Sequence, residues 1–203
     1  MMSERIYLNN DWKFAEQFEA SMTEAAYDDS VMQNVRIPHT CKETPLHYFD
    51  EHCYQMVSGY RRVIEAEEAW KGKKILLTID GAAHDSEVFL NGEKVGEHHC
   101  GYTAFTMDIS GALRYGEKNI LFVKVDSRED LNIPPFGYVI DYMTYGGIYR
   151  DVYLDIKNKD YIEDIFIRTN IGQMDDQNAE LISEVTVQRT QEGLFLKQSL
   201  KNK

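Results

Sequence analysis

The sequence has few cysteines and prolines and lacks any long apolar run. Its 203 residues include three cysteines and four prolines. Cys41, Cys53 and Cys100 have none of the short paired spacings of zinc or redox motifs, so we expect reduced thiols. No segment approaches the roughly 18 apolar residues of a membrane-spanning helix, and the start lacks the apolar stretch of a secretion signal. These absences predict a soluble, cytoplasmic protein with no membrane partner.

An excess of basic residues is also missing. The chain has 22 Lys plus Arg against 34 Asp plus Glu, a net charge of −12, and no dense basic run. Binding to a phosphate backbone depends on such positive charge, so we expect no nucleic-acid partner. His98, His99 and Cys100 are adjacent, but neighbouring residues of a strand point to opposite faces and cannot all ligate one metal ion.

What the sequence does contain is typical of a globular β protein. Apolar residues make up 43% and aromatic residues 12% of the chain, which excludes a disordered chain. Most apolar residues recur at period two in short runs between Gly, Asn and Asp, the pattern of strands in a sandwich. The predicted strands are 59–65, 74–80, 86–90, 94–97, 103–108, 119–126 and 151–156.

The sharpest local signal lies between two of these strands. Asn91 and Gly92 tolerate the positive φ that both central residues of a two-residue hairpin turn need. We therefore predict a tight hairpin at Leu90–Glu93.

Two later segments interrupt the strand pattern. Over 131–147, two consecutive prolines and several glycines predict a long irregular loop, and loops of that length are usually functional or disordered. Its aromatic residues favour order. A new alternating pattern follows residue 160, with room for two or three strands, too few to enclose a core. The predicted division is a complete sandwich over 1–158 and an incomplete second domain over 159–203.

Several motifs resemble, in order and spacing, the sugar-binding domain that opens family 2 glycoside hydrolases. An Asn-Gly hairpin alone is common in β proteins, but an ordered set of such motifs is specific. Together they span about residues 8–157. The matching segments are Val35-Arg36-Ile37-Pro38-His39, Ser58-Gly59-Tyr60-Arg61-Arg62, Val88-Phe89-Leu90-Asn91-Gly92 with Val95-Gly96, Gly101-Tyr102-Thr103-Ala104-Phe105 with Asp108-Ile109, and Gly146-Gly147-Ile148-Tyr149-Arg150-Asp151-Val152.

This resemblance implies a jelly-roll β-sandwich of the galactose-binding-domain type, followed by the first strands of an immunoglobulin-like sandwich. In the intact enzymes a (β/α)₈ barrel comes next and carries both catalytic glutamates. Retaining glycosidases need two carboxyl groups about 5 Å apart on a rigid scaffold. We therefore expect no catalytic residue and no cofactor in this chain, although Na⁺ or Mg²⁺ would be compatible with the intact enzyme.

The resemblance also implies a substrate contact in the long loop. In β-galactosidases of the family, an aspartate six positions before the second glycine of the last motif reaches the catalytic pocket. Asp141 stands six positions before Gly147, and it would contact the sugar directly or through an alkali cation. Its neighbour Tyr142 is a further candidate. The alternative for Asp141 is a residue that caps its own loop through backbone amides.

Other candidate residues have structural alternatives that we favour. His39 would be a pocket imidazole or, more simply, a packed histidine bonded to backbone. Arg150 and Asp151 invite a catalytic role, but a structural ion pair that anchors the loop is commoner. Trp12 and Trp70 would be sugar-stacking platforms or packed aromatics. Gly146 and Gly147 are expected to permit unusual backbone angles.

Three functions follow as hypotheses. The first is an accessory domain of a β-glycosidase that forms one wall of its active site, with a β-galactoside as the substrate favoured by Asp141. The second is a stand-alone carbohydrate-binding module, since jelly rolls serve many lectins. The third is a structural fragment in which the open strands after residue 161 pair with another copy, giving a homo-oligomer.

Overall fold

The computed structural model of the protein describes residues 4–44, 46–47, 50–137, 144–171, 179–190, 192–193 and 195–201. The fold is all-β, as predicted, and the chain divides into two compact units, Met1–Ile156 and Lys157–Lys203. Helical structure in the described part is limited to short 3₁₀ turns at Ala20–Thr23, Asp29–Val31, Glu51–Tyr54 and Glu68–Trp70. None of these helices has the length and apolar character needed to cross a membrane.

The predicted strands are confirmed, and several short ones are added. The shorter strands β1, β2, β3, β6 and β11 were not predicted, because two to four residues are too few to show a period. The strands are β1 (Glu4–Tyr7), β2 (Trp12–Ala15), β3 (Gln33–Val35), β4 (Val57–Glu65), β5 (Lys74–Ile79), β6 (Ala82–Ala83), β7 (Asp85–Leu90), β8 (Glu93–His98), β9 (Phe105–Asp108), β10 (Lys118–Asp126), β11 (Gly147–Ile148), β12 (Val152–Lys157), β13 (Tyr161–Ile171) and β14 (Ala179–Gln188).

The first unit is a sandwich of two main sheets. One sheet has the order β3-β2-β4-β10-β7-β8 and the other β1-β12-β5-β9, while β6 and β11 form a small separate pair. All neighbours in the six-stranded sheet run antiparallel. Alternate residues of β10 (Leu121, Val123) and of β12 (Val152, Leu154) belong to one apolar core, as period two requires.

The two tryptophans belong to this core. Trp12 is 0% and Trp70 is 4% exposed, so the packing alternative is confirmed and neither ring is available for stacking on a sugar.

The outer face of the six-stranded sheet is also covered. Phe122 points away from the main core and packs against Phe18, with ring centroids 5.7 Å apart. Beside it, the buried Arg61 guanidinium donates to Asp29 Oδ2 and to the carbonyl oxygens of Met22 and Glu24. These charge-assisted bonds hold the 20–31 segment over the sheet, because a buried guanidinium must have its donors satisfied.

The predicted hairpin turn is confirmed. β7 and β8 pair with Leu90 opposite Glu93, and φ is +53° at Asn91 and +89° at Gly92. The Asn91 side chain then ties the turn to the next strand, since its Oδ1 accepts from Ile120 N at 2.9 Å and its amide donates to Asn119 Oδ1 at 2.9 Å.

The second unit contains one antiparallel hairpin of β13 and β14, with an irregular register between Ile162 and Asp164. Its apolar side chains remain exposed, because two strands cannot bury a face without further structure. The exposed apolar residues are Ile162, Ile165, Phe166, Ile167, Leu181, Ile182 and Val187.

Candidate functional site

The conserved-looking motif at residues 146–152 lies at the centre of the candidate site. Gly147 and Ile148 form β11, which pairs with Ala83 and Ala82 of β6. The chain then continues alongside the same turn, because Tyr149 N donates to Gly81 O at 3.2 Å. The motif is thus held against the 81–84 segment that leads into β7.

A second motif meets it on the other side. His39 N donates to Ile148 O at 2.8 Å, and Cys41 N donates to Gly146 O at 3.0 Å. Segments that are more than a hundred residues apart in sequence therefore share one backbone network. This network explains why both motifs have a defined backbone and few variable positions to offer.

Close packing explains the two glycines of the motif. A Cβ at Gly146 would lie 2.5 Å from Cys41 Sγ and would also collide with the Ser127 side chain. Gly147 has φ of +102°, and a Cβ there would lie 2.5 Å from the Tyr60 hydroxyl oxygen. Both positions exclude a side chain, and the second also requires a backbone conformation that favours glycine.

The His39 ring packs in the same region. Its Nδ1 lies 2.9 Å from the Tyr60 hydroxyl oxygen, and its ring centroid is 4.8 Å from that of Phe14. Burial lowers the pKa of His39, because the charged form loses solvation. The ring has a side-chain partner instead of the expected backbone partner, and its position favours the packed-histidine alternative over a sugar contact.

The expected ion pair between Arg150 and Asp151 is wrong. Asp151 accepts from the Asn9 side chain at 2.8 Å, while the exposed Arg150 donates to Tyr102 O at 3.4 Å and lies over the Tyr149 ring. Within the described residues Arg150 has no carboxylate partner. Adjacent side chains near a strand point to opposite sides, so each finds a partner on a different segment.

A cavity of about 300 Å³ lies next to the motif. Its wall is mostly aromatic, and the Tyr149 hydroxyl group that closes one side donates to Gly101 O. No carboxylate group belongs to the described wall. The lining residues are Ala83, His84, Tyr102, Thr144, Tyr145, Tyr149 and Arg150.

His84 is the member of this wall that sequence reasoning missed. Its side chain is buried, and burial lowers its pKa while the nearby charge of Asp126 acts in the opposite sense. No sequence pattern marks it, because a histidine before a strand has no characteristic spacing. Its place beside residues 144–150 results from the pairing of β6 with β11.

The remaining candidates lie elsewhere. Asp141 and Tyr142, predicted to contact substrate or a cation, are outside the described residues. His98 stacks on Phe105 at 4.4 Å, and His99 Nδ1 is 2.6 Å from Asp85 Oδ1. Among the residues that the structure describes, no group of three or more His, Cys, Asp or Glu is placed to hold a metal ion.

Comparison with known proteins agrees with this architecture. The chain is 39% identical to a β-galactosidase of Thermoanaerobacter pseudethanolicus over 183 residues, covering 90% of this chain and 24% of that enzyme. It is 34% identical to a β-glucuronidase of Bacteroides fragilis, covering 76% of this chain and 21% of that enzyme. The crystal structure of a Bacteroides uniformis β-glucuronidase superposes with a TM-score of 0.72 at 29% identity, over 83% of this chain and 20% of that one.

The chain therefore spans only about a fifth to a quarter of the length of these relatives. The family model for glycosyl hydrolases family 2, sugar binding domain, matches residues 7–158. This chain belongs to glycoside hydrolase family 2, whose sugar-binding domain it carries.

Proposed function

We propose that the chain is the amino-terminal, non-catalytic domain of a retaining β-glycosidase and forms one wall of its active site. The observation that carries this proposal is the family motif at 146–152, which is folded against the 81–84 turn beside an aromatic-lined cavity. Relatives that share the domain are four to five times longer than the matched region. The remaining length provides room for a catalytic scaffold.

In such an enzyme the domain would orient the substrate. Bond cleavage needs an acid/base carboxyl and a nucleophilic carboxylate about 5 Å apart, and on our proposal neither comes from this chain. Asp141 and Tyr142 would contact the sugar from the loop before the motif, with Asp141 acting directly or through an alkali cation, and Na⁺ or Mg²⁺ would suit a carboxylate oxygen. Correct positioning lowers the barrier without supplying a reacting group.

The substrate we favour is a β-galactoside. Two relatives named as β-galactosidases are 39% and 40% identical to this chain, against 34% for a β-glucuronidase. A β-glucuronide is the competing substrate. Specificity is a property of a site and not of a fold, so the sugar has to be measured.

The experiment is hydrolysis of a panel of nitrophenyl β-glycosides by the 203-residue chain and by the protein encoded when the reading frame is extended. We expect turnover only with the longer protein, and preferentially of the galactoside. Turnover by the 203-residue chain would overturn the non-catalytic assignment. Absence of a barrel with two suitable glutamates in the extended frame would overturn the glycosidase assignment.

The cavity also supports a second candidate, a carbohydrate-binding module that acts without a catalytic partner. Its aromatic wall is the surface that such modules use to hold a sugar ring. The same extended frame separates the two functions, because a module would be followed by no glycosidase barrel.

A further inference from the structure

The imidazole of His84 is a buried polar group with nothing to bond. Its side chain is 2% exposed, and neither Nδ1 nor Nε2 has a hydrogen-bond partner among the described residues. Buried polar atoms in folded proteins are almost always paired, so an exception needs a specific cause.

Nearby backbone does not provide that pairing. The Nδ1 edge of the ring faces Gly101, where an added Cβ would lie only 3.2 Å from Nδ1. The same Cβ would lie 3.0 Å from Ala83 Cα. A glycine at position 101 therefore keeps side-chain atoms away from the ring, which itself lines the 300 Å³ cavity.

The cavity has the size and the wall of a small-molecule site. Such sites run from about 300 to 1,000 Å³ and combine apolar or aromatic walls with a few polar groups. Here the aromatic part is Tyr102, Tyr145 and Tyr149, and the polar part is His84, Thr144 and Arg150. Arg150 keeps guanidinium N–H groups beyond its one long bond to Tyr102 O.

The protonation of His84 narrows the ligand class. Burial lowers its pKa, so the ring is neutral at pH 7 and offers one donor and one acceptor. A hydroxyl group is likewise both donor and acceptor, whereas an inorganic anion would need a charged partner deep in the site. Vicinal hydroxyls on a ring with an apolar face match both the imidazole and the tyrosines.

We propose that this cavity binds the pyranose ring of a glycoside, with a ring hydroxyl hydrogen-bonded to His84 and the ring lying against the tyrosine wall. Arg150, at the exposed rim, donates to the substituent at the far side of the ring. The inference rests on the proposed function and deepens it, because it makes His84 a residue that determines which sugar is held.

The test is NMR of the histidine ring resonances in the 203-residue chain during titration with methyl β-galactoside and, separately, methyl β-glucuronide. We expect a saturable shift of the His84 resonances with at least one sugar and no shift of the His39 ring, which is already bonded to Tyr60. No shift at His84 with either sugar, or equal shifts at both rings, overturns the proposal.

Variants provide the second readout. His84→Phe should weaken sugar binding in calorimetry about tenfold, the loss expected for one neutral hydrogen bond, and His84→Gln should recover part of it. The matched control is His52→Gln, at an exposed histidine outside the cavity wall, with unchanged affinity. If His84→Phe does not fold, the wild-type titration alone decides.

Failure of this inference can be told apart from failure of the proposed function. An extended protein that hydrolyses glycosides while the His84 resonances stay unchanged overturns only the cavity. Sugar binding at His84 without a catalytic barrel in the extended frame overturns only the glycosidase assignment.

Discussion

At the scale of single residues, Gly147 shows how a motif position is determined by its neighbours. Gly147→Ala would place a Cβ 2.5 Å from the Tyr60 hydroxyl oxygen and 2.7 Å from His39 O, at a φ of +102°. We expect the free energy of unfolding to fall by about 3 kcal/mol, from backbone strain of about 1–2 kcal/mol plus the collision. Urea unfolding followed by tryptophan fluorescence measures this loss.

Two other glycines are matched controls for that substitution. Gly72 has φ of +82° with nothing within 4 Å of an added Cβ, and Gly111 has open space without a positive φ. Gly72→Ala should therefore cost about 1 kcal/mol, from the backbone alone, and Gly111→Ala about 0.5 kcal/mol or less. Equal losses at all three positions would contradict the packing argument.

The buried histidines make stability depend on pH. Burial lowers the pKa of both His39 and His84 below the ordinary 6.5, so below pH 6.5 the unfolded chain binds more protons than the folded one. Stability should accordingly fall as the pH drops from 7.5 to 5.5, a range in which most carboxylates stay ionised. Urea titrations at the two pH values measure the change.

Two variants separate the contributions. His39→Gln removes one of these groups and should make the decrease shallower. His99 has its pKa raised by Asp85, so its proton uptake favours the folded state at low pH, and His99→Gln should make the decrease steeper. Stability that rises on acidification would contradict the assignment of neutral buried rings.

At the scale of elements, the β7–β8 hairpin depends on Asn91. Asn91→Ala removes the bonds to Ile120 N and Asn119 Oδ1 and leaves alanine at a φ of +53°. We expect a loss of about 2–3 kcal/mol in the free energy of unfolding, measured by urea titration.

Comparison with glycine separates the two causes. Asn91→Gly keeps the backbone conformation and loses only the side-chain bonds, so its cost should be about 1–2 kcal/mol. Glu93→Ala, an exposed substitution next to the same turn, should change stability by about 0.5 kcal/mol at most. A glycine variant as unstable as the alanine variant would show that φ contributes nothing.

At the scale of the whole molecule, the two units differ in how they bury apolar surface. The first unit has a continuous core, whereas the hairpin of the second exposes residues such as Ile165, Phe166 and Ile167. Truncation after Lys157 should therefore leave the thermal unfolding midpoint of the first unit within a few degrees of its value in the 203-residue chain, by calorimetry.

The same truncation tests self-association. Exposed apolar strands pair readily with other copies, so sedimentation should show concentration-dependent association of the 203-residue chain and a monomer for residues 1–157. The substitution Ile165→Lys, which charges the hairpin without shortening the chain, should also give a monomer. A 203-residue chain that stays monomeric at all concentrations would remove the homo-oligomer hypothesis.

Local patterns were enough to predict most of the strands. The alternation in β5, β10 and β12 appears in the sequence because each strand buries one face, and the Asn91-Gly92 turn appears because few residues accept a positive φ. The order of family motifs indicated the sandwich before any contact was known. These are properties that a short stretch of chain determines by itself.

Tertiary structure alone decided the site. Asp151 pairs with Asn9, 142 residues away, instead of with the adjacent Arg150, and His84 gains its cavity because β11 pairs with β6. Gly146 must be glycine because Cys41 and Ser127 occupy the space around it. Such contacts join distant parts of the chain, and no local period or turn propensity encodes which of them will meet once the core has closed.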